Sequence, residues 1–222
     1  MMLYIVRHGE TYLNTLGCLQ GQINEPLNQN GRELAEITGE AFRTVYFDLI
    51  ITSPLVRASE TARLVAKASQ KHFDYEVPVL EDPRLMEIGW GEWERLGCLK
   101  ENFAIPADDF NLFFTDPLNY GAAPGGESMK EVCQRTSAFF QELIHNPEYQ
   151  DKTILISTHG CAMRALLQEV YEDKTDFWHG RIPYNCAVNI VKVEKGRAKL
   201  VKDDGIYYDP SLCYNHYKAV EE

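Results

Sequence analysis

The sequence lacks long apolar runs. No stretch approaches the roughly 20 apolar residues that a membrane-spanning helix requires. The opening residues, MMLYIVRHGET, reach charged side chains too early for a secretory signal peptide. We therefore expect a soluble, cytoplasmic protein with no membrane partner.

Positive charge is also scarce. The 222 residues include 22 Lys and Arg against 33 Asp and Glu, which gives a formal net charge of -11. A general affinity for nucleic acid or for an anionic membrane surface needs an excess of Lys and Arg, so we expect neither partner. Any site that binds an anion must therefore be local.

The cysteines and histidines form none of the common metal or disulfide motifs. The six cysteines, at positions 18, 98, 133, 161, 186 and 213, include no CxxC pair, which favours reduced thiols over a disulfide framework. The six histidines form no HxH or HExxH pattern, so the sequence predicts no metal site and no cofactor. Four of them are interpreted as structural or surface residues: His72, His145, His179 and His216.

What the sequence does contain is a regular alternation of strand-like and helix-like segments. Apolar and β-branched runs predict strands at 2–6, 48–52, 76–80 and 153–158, and an edge hairpin over 187–203 about Lys195 and Gly196. Helical spacing predicts helices at 31–45, 54–68, 128–145 and 160–171. Ser53 is predicted to cap the second of these helices, and Ser128 with Glu131 has the spacing of a capping box.

This order of elements predicts an α/β fold. We expect a three-layer α/β/α sandwich with a mainly parallel sheet of about six strands and an antiparallel edge hairpin. The length and a hydrophobic content of 45% fit a single domain over residues 1–222. Residues from about 89 to 127 are irregular and rich in aromatic side chains, Gly and Pro, so we expect them to form a small cap or lid insertion.

Charged side chains follow three of the predicted strands. Arg7 and His8 follow the strand at 2–6, and His159 follows the strand at 153–158. Arg57 lies in the first turn of the helix that follows the strand at 48–52. The carboxyl ends of parallel strands line one crevice, so these side chains should converge. Two guanidinium groups beside the positive ends of two helices suit a dianion such as a phosphoryl group.

Five ordered motifs resemble those of the histidine phosphatase superfamily, also called phosphoglycerate mutase-like. They are RHGETYLN (7–14), LQGQINEPLNQNG (19–31), SPLVRASETA (53–62), LMEIGWGEWE (85–94) and STHG (157–160). Three positions depart from the family pattern: Asn24 replaces an aspartate, Asn28 a threonine that caps the next helix, and Arg95 a glycine. Asparagine also caps well, so Asn28 should keep that role.

The resemblance implies a role for each site residue. His8 is implied to be the nucleophile that becomes phosphohistidine, and the charges of Arg7 and Arg57 should lower its pKa. Four residues are expected to bind phosphate: Arg7, Asn14, Arg57 and His159. Three more are expected to contact the substrate: Gln20, Gly21 and Gly160.

The general acid and base is implied to be Glu87, which matches the leading carboxylate of the fourth motif. Glu92, Glu94 and Glu127 are the alternatives among the nearby carboxylates.

The expected activity is metal-independent hydrolysis of a small phosphorylated metabolite. The main alternative is a cofactor-dependent phosphoglycerate mutase. Residues between 93 and 127 are net acidic. The mutase branch of the family carries an ERHYG string, and this segment contains no counterpart of it. Both observations favour the hydrolase. A second alternative, a phospho-ligand sensor or scaffold without catalysis, would be expected to have lost one of the implied catalytic residues.

Aromatic side chains are concentrated in the segment after Glu87. They are Trp90, Trp93, Phe103, Phe110, Phe113, Phe114 and Tyr120. Such rings either pack a cap onto the sandwich or face the substrate, and the sequence leaves both possibilities open. The oligomeric state is not predicted.

Overall fold

Six strands form one mixed sheet in the computed structural model, which describes residues 1–71, 75–107 and 110–213. The strands are β1 (Met2–Arg7), β2 (Leu49–Thr52), β3 (Val79–Glu81), β4 (Thr153–Thr158), β5 (Val188–Glu194) and β6 (Arg197–Gly205). They lie in the order β3-β2-β4-β1-β5-β6. The first four in this order are parallel, whereas β5 and β6 are antiparallel to their neighbours. The predicted fold class is confirmed.

Helices connect the strands and cover the sheet. The α-helices are α1 (Tyr12–Thr15), α2 (Gln29–Ala41), α3 (Val56–Ser69), α4 (Leu112–Thr115), α5 (Met129–His145) and α6 (Gly160–Leu167). Short 3-10 helices span Pro83–Leu85, Gly91–Trp93, Pro117–Asn119, Pro147–Tyr149 and Pro210–Leu212. No helix within the described ranges is long and apolar enough to cross a membrane.

Side-chain caps fix where several helices begin. The Ser128 side chain accepts a hydrogen bond from the Glu131 backbone N–H, and the Glu131 carboxylate accepts one from the Ser128 N–H, so the predicted capping box is present at α5. Asn28 caps α2 by accepting from the Gly31 N–H at 2.8 Å, as expected. At the hairpin between β5 and β6, Lys195 and Gly196 both have positive φ, the geometry of a two-residue turn that matches strand twist.

The predicted cap of α3 is wrong. Ser53 was expected to cap a helix beginning at Pro54, but α3 begins at Val56 and its N-cap is Leu55, whose side chain makes no capping bond. Instead the Asn24 side chain accepts from the Val56 N–H at 2.7 Å. A residue 32 positions away in the sequence therefore satisfies this helix terminus, and no local pattern predicts such a cap.

Some predicted ends are shifted as well. The first long helix ends at Ala41 instead of residue 45, and α6 ends at Leu167 instead of residue 171. The strand expected at 76–80 occupies Val79–Glu81.

Both faces of the sheet are buried, which gives three layers. In β1, Leu3 and Ile5 pack in one core cluster with side chains of α5 and α6. Val6, on the opposite face, packs in a second cluster with α2 and α3. Each fully buried Leu or Ile contributes about 1.5–3 kcal/mol through apolar burial, so the central strands hold both helical layers in place. The carboxyl ends of the strands are thereby fixed.

The segment at 89–127 packs its own aromatic cluster against the start of α6. Trp90, Phe110 and Phe113 are buried there together with Ala162 of α6. Arg95, at the position where the family pattern has a glycine, adopts a left-handed φ of 73°. The backbone at this position therefore has a conformation that glycine adopts more readily than arginine does.

Candidate active site

The carboxyl ends of β1, β2 and β4 meet at one pocket. Eight of the nine residues predicted for the site line it: Arg7, His8, Asn14, Gln20, Gly21, Arg57, Glu87 and Gly160. The ninth, His159, is fully buried beside His8, with the two ring centroids 5.1 Å apart. The strands lie side by side as β2-β4-β1, so residues from four distant parts of the chain become neighbours.

His8 is held in one orientation and one tautomer. Its Nδ1 lies 2.7 Å from the backbone oxygen of Gly9. A carbonyl can only accept, so Nδ1 carries the proton and donates it, which leaves the lone pair on Nε2. Buried Asn185 donates from its amide to the His8 carbonyl at 3.0 Å. The ring is therefore preorganised with a nucleophilic nitrogen available.

The surroundings of His8 favour its neutral form. Burial lowers its pKa most, the positive charges of Arg57 and Arg7 lower it further, and the bond to Gly9 opposes them, so the pKa lies well below 6.5. Burial and Arg57 likewise lower the pKa of His159. The sequence predicted that the two arginines lower the pKa of His8. The larger effect, that of burial, is seen only in the folded structure.

These two buried histidines predict a pH-dependent stability. In the unfolded chain they bind protons near pH 6.5, whereas in the folded protein they do so only at lower pH, so acidification favours unfolding. We expect the free energy of unfolding to fall as pH drops below about 6.5, by up to about 1.4 kcal/mol per pH unit for each histidine. Urea unfolding at pH 7.5, 6.5 and 5.5 measures this slope. A His8→Asn/His159→Asn double variant should have a shallower slope, and an unchanged slope would contradict the assignment.

The two arginines are buried and anchored through backbone carbonyls. Arg57, in the first turn of α3, is fully buried and donates to the carbonyls of Gly21 at 2.7 Å and Ile23 at 2.8 Å. Gly21 has a φ of 54°, a left-handed conformation that glycine adopts without strain, and this brings the loop close to Arg57. Arg7 donates from Nη1 to the Pro183 carbonyl, while its buried Nε has no hydrogen-bond partner in the described structure.

His159 is oriented by Ser53. Its Nε2 lies 2.9 Å from the Ser53 hydroxyl, which also accepts from the Leu55 N–H at 3.3 Å. Because the hydroxyl proton is then free to point at the ring, Nε2 can accept and Nδ1 can carry the histidine's proton. Nδ1 is buried without a hydrogen-bond partner among the described residues. Ser53 therefore orients a pocket histidine instead of capping a helix.

Among the described residues that line the pocket, the one carboxylate is that of Glu87, and its side chain packs against the N-terminus of α6. Its side chain accepts from the backbone N–H groups of Cys161 at 3.2 Å and Ala162 at 3.0 Å. These are among the N–H groups that a helix leaves unpaired at its start, so α6 fixes the carboxylate in the pocket that His8 also lines.

The three alternative carboxylates do not line the pocket. Glu127 forms an ion pair with Arg135, Glu94 accepts from the Gln22 N–H at 2.7 Å, and Glu92 is exposed. The geometry therefore favours Glu87.

Arg135 of α5 holds the backbone around Glu87. It donates to the carbonyls of Arg84 at 2.8 Å, Met86 at 2.6 Å and Glu87 at 3.0 Å. Its partner Glu127 also accepts from the Gly89 N–H at 2.9 Å, so the loop is held on both sides of Glu87. Sequence reasoning missed Arg135, since on a helix it has the ordinary appearance of a solvated charge.

The outer wall of the pocket is apolar. It consists of Leu19, Ile88, Trp90, Cys98, Phe113, Phe114, Cys161, Trp178 and Ile182. Three rings of the predicted aromatic segment therefore face the site, whereas Trp93, Phe110 and Tyr120 pack in the core and Phe103 is 49% exposed. Trp178 and Ile182 come from the loop before β5, which carries no motif and was missed.

Two of the remaining histidines, His145 and His179, do not line the pocket. His145 is exposed at the end of α5, and His179 stacks on Tyr171. His72 and His216 lie outside the described residues. Within the described ranges, no group of three or more His, Cys, Asp or Glu is arranged to hold a metal ion.

Comparison with known proteins gives consistent matches. A sequence model of the histidine phosphatase superfamily (branch 1) matches residues 3–203. The 2,3-bisphosphoglycerate-dependent phosphoglycerate mutase 2 of Gloeobacter violaceus is 34% identical over 169 residues, covering 76% of this chain and 75% of that protein. The adenosylcobalamin/alpha-ribazole phosphatase of Escherichia coli K12 is 29% identical, covering 84% and 87%. The crystal structure of the alpha-ribazole phosphatase from Shigella flexneri has a TM-score of 0.75 at 26% identity, covering 92% and 96%.

Proposed function

Because this chain belongs to the histidine phosphatase superfamily, we propose that it is a phosphomonoester hydrolase that acts through a phosphohistidine intermediate on a small phosphorylated metabolite. The observation that carries the proposal is the state of His8, a buried imidazole fixed with Nε2 unprotonated beside two guanidinium groups. A neutral imidazole is a competent nucleophile towards phosphorus, and cationic neighbours stabilise the equatorial oxygens of the transferred group.

The first chemical step transfers the phosphoryl group to His8. Nε2 attacks phosphorus, the N–P bond forms and the P–O bond to the leaving group breaks. Arg7 and Arg57 neutralise the phosphoryl oxygens, and His159 with Asn14 supplies further hydrogen-bond donors. Glu87 in its acid form gives its proton to the leaving oxygen.

The second step returns the enzyme to its starting state. Glu87, now ionised, removes a proton from a water molecule, and the oxygen of that water attacks the phosphohistidine. The N–P bond breaks, inorganic phosphate leaves, and both His8 and Glu87 regain their original protonation. The net reaction is hydrolysis of the ester to an alcohol and inorganic phosphate, and the enzyme is regenerated.

The acid role of Glu87 predicts a selective defect. Glu87→Gln is expected to lower kcat/KM for alkyl phosphates by about 10²–10⁴-fold, because an amide cannot donate the proton. An activated ester such as para-nitrophenyl phosphate needs little protonation, so its kcat/KM should fall far less. Steady-state kinetics on matched alkyl and nitrophenyl esters measures the difference, with Glu92→Gln, a change at an exposed neighbour, as the control. Equal losses on both esters would contradict the acid role.

Hydrolysis is favoured over mutase activity by the charge of the pocket. A phosphoglycerate mutase must hold the carboxylate of its substrate in two orientations, which calls for cationic groups beyond the phosphate site. Among the described residues that line the pocket, the cationic side chains are Arg7 and Arg57, and both belong to the phosphate end. The similar proteins include both mutases and phosphatases and therefore favour neither activity. The charge of the pocket supports hydrolysis.

Three assays separate the candidate functions: phosphate release, interconversion of phosphoglycerates, and phosphate binding. The hydrolase should release inorganic phosphate from para-nitrophenyl phosphate and show little interconversion of 3- and 2-phosphoglycerate, even when primed with 2,3-bisphosphoglycerate. Efficient interconversion would identify a mutase instead. Phosphate binding without turnover of any phosphomonoester would identify a sensor or scaffold.

Metal independence gives a further prediction. Two guanidinium groups repel a divalent cation, and they occupy the place where one would neutralise the phosphate. EDTA is therefore expected to leave kcat unchanged, whereas vanadate and inorganic phosphate should inhibit competitively. Activity lost in EDTA and restored by a divalent ion would show that the assignment is wrong. The cytoplasmic location, the single domain and the cap role of residues 89–127 stay predictions.

A further inference from the structure

The apolar wall of the pocket has a definite chemistry. It combines four aromatic side chains, Trp90, Phe113, Phe114 and Trp178, with aliphatic side chains such as Leu19 and Ile182. Burial raises the pKa of Cys98 to about 12, so this thiol also is uncharged at neutral pH. Away from the phosphate end, the described lining residues offer no charged group to a substrate.

The rings that form this wall are fixed in position. Trp178 donates from Nε1 to the Phe113 carbonyl at 3.0 Å, and the centroids of these two rings are 5.0 Å apart. Trp90 meets Phe113 edge to face at a centroid distance of 4.9 Å. Phe113 belongs to α4, whereas Trp90 and Trp178 come from two separate loops. Each of the three side chains is at least nine-tenths buried. The rings therefore hold one another in place, and the apolar wall is preformed.

A carboxylate on the leaving group would be poorly accommodated here. It would lose its hydration against apolar walls without gaining a cationic partner, because the cationic lining residues Arg7 and Arg57 belong to the phosphate end. An uncharged ring loses nothing comparable and gains apolar and edge-to-face contacts with the fixed aromatic side chains. The wall thus separates substrates by the charge and shape of the leaving group.

We propose that this wall selects phosphomonoesters whose leaving group carries an uncharged, planar apolar ring, with Trp178, Phe113 and Trp90 as the specificity-determining residues. The proposal rests on the proposed hydrolase function for turnover, but it also predicts binding preferences that do not require turnover. The sequence indicated an aromatic segment, whereas the part played by Trp178 follows only from the structure.

The kinetic test compares esters whose leaving alcohols have similar acidity. Differences in kcat/KM then reflect binding of the leaving group and not its chemical reactivity. The wild type should hydrolyse 2-naphthylmethyl phosphate with a kcat/KM about tenfold or more above that for glycerol 3-phosphate. 3-Phosphoglycerate should be poorer still. Equal values for the three esters would overturn the proposal.

Three variants locate the preference. Trp178→Leu should reduce the advantage of the naphthyl ester while leaving the inhibition constant for inorganic phosphate unchanged, which also reports that the fold is intact. Ile182→Arg, which adds a cation to the wall, should raise the relative kcat/KM for 3-phosphoglycerate. Phe103→Leu, at an exposed ring that does not line the pocket, is the matched control and should change neither ratio. An unchanged preference in Trp178→Leu would overturn the assignment.

Binding of non-hydrolysable phosphonates separates this proposal from the proposed function. Calorimetry should show tighter binding of 2-naphthylmethylphosphonate than of 2-carboxyethylphosphonate to the wild type. That order without turnover of any ester would support the selective wall while contradicting the hydrolase. Turnover together with the reverse order would support the hydrolase and overturn the selective wall.

Discussion

Replacing His8 with alanine is expected to lower kcat for para-nitrophenyl phosphate by at least about 10⁴-fold, because the nucleophile and the covalent route are lost together. Water would have to attack the ester directly in a pocket built to place Nε2 against phosphorus. Alanine fills less space than imidazole at a buried position, so the free energy of unfolding should be measured alongside the rate. His8→Asn, which retains a polar side chain, should be equally inactive.

A matched control for His8 is available on α5. His145 is exposed and does not line the pocket, so His145→Ala should keep the wild-type kcat. Substantial activity in a folded His8→Ala protein would contradict the nucleophile assignment.

Removing the charge of Arg57 should produce the second large effect. Arg57→Met is expected to lower kcat/KM by about 10³-fold, because a buried donor to the transferred group disappears. The same change should also alter the pH profile. The Arg57 charge lowers the pKa of His8, so without it that pKa rises towards 6.5. Since only neutral His8 attacks, the acid limb of kcat/KM should move to higher pH.

Arg57→Lys separates the two contributions of this residue. Lysine keeps the positive charge but lacks the planar fork that donates two bonds at once, so the rate should still fall. The acid limb, in contrast, should stay close to its wild-type position. A limb that does not move in Arg57→Met would contradict the electrostatic account of His8.

The sequence allowed the fold and most of the candidate site to be predicted. Apolar strands alternate with amphipathic helices, and the side chains of Arg7, Arg57 and His159 follow strand ends that a parallel sheet must bring together. The Ser128 capping box was predictable because all its groups lie within four residues. Periodicity and local capping therefore sufficed for these elements and for the residues at the strand ends. The other site residues were predicted from the resemblance to the histidine phosphatase superfamily: Asn14, Gln20, Gly21, Glu87 and Gly160.

The parts that could not be predicted depend on contacts between distant segments. α3 begins later than expected because Asn24 satisfies its first N–H and Ser53 orients His159. Arg135 holds the loop of Glu87 by donating to backbone carbonyls. Every residue has a backbone carbonyl, so the amino-acid sequence does not show which ones Arg135 will bind. Trp178 reaches the pocket from a loop without any motif. Such contacts appear only when the sheet has fixed the relative positions of the loops.

The most direct test of the account is to trap the intermediate. Wild-type protein quenched during turnover of a phosphomonoester should carry one phosphoryl group on His8, identified by peptide mass spectrometry as an acid-labile modification. The His8→Ala protein treated identically should carry none. Phosphate found on a serine or cysteine, or an equal signal in the His8→Ala protein, would contradict the phosphohistidine mechanism.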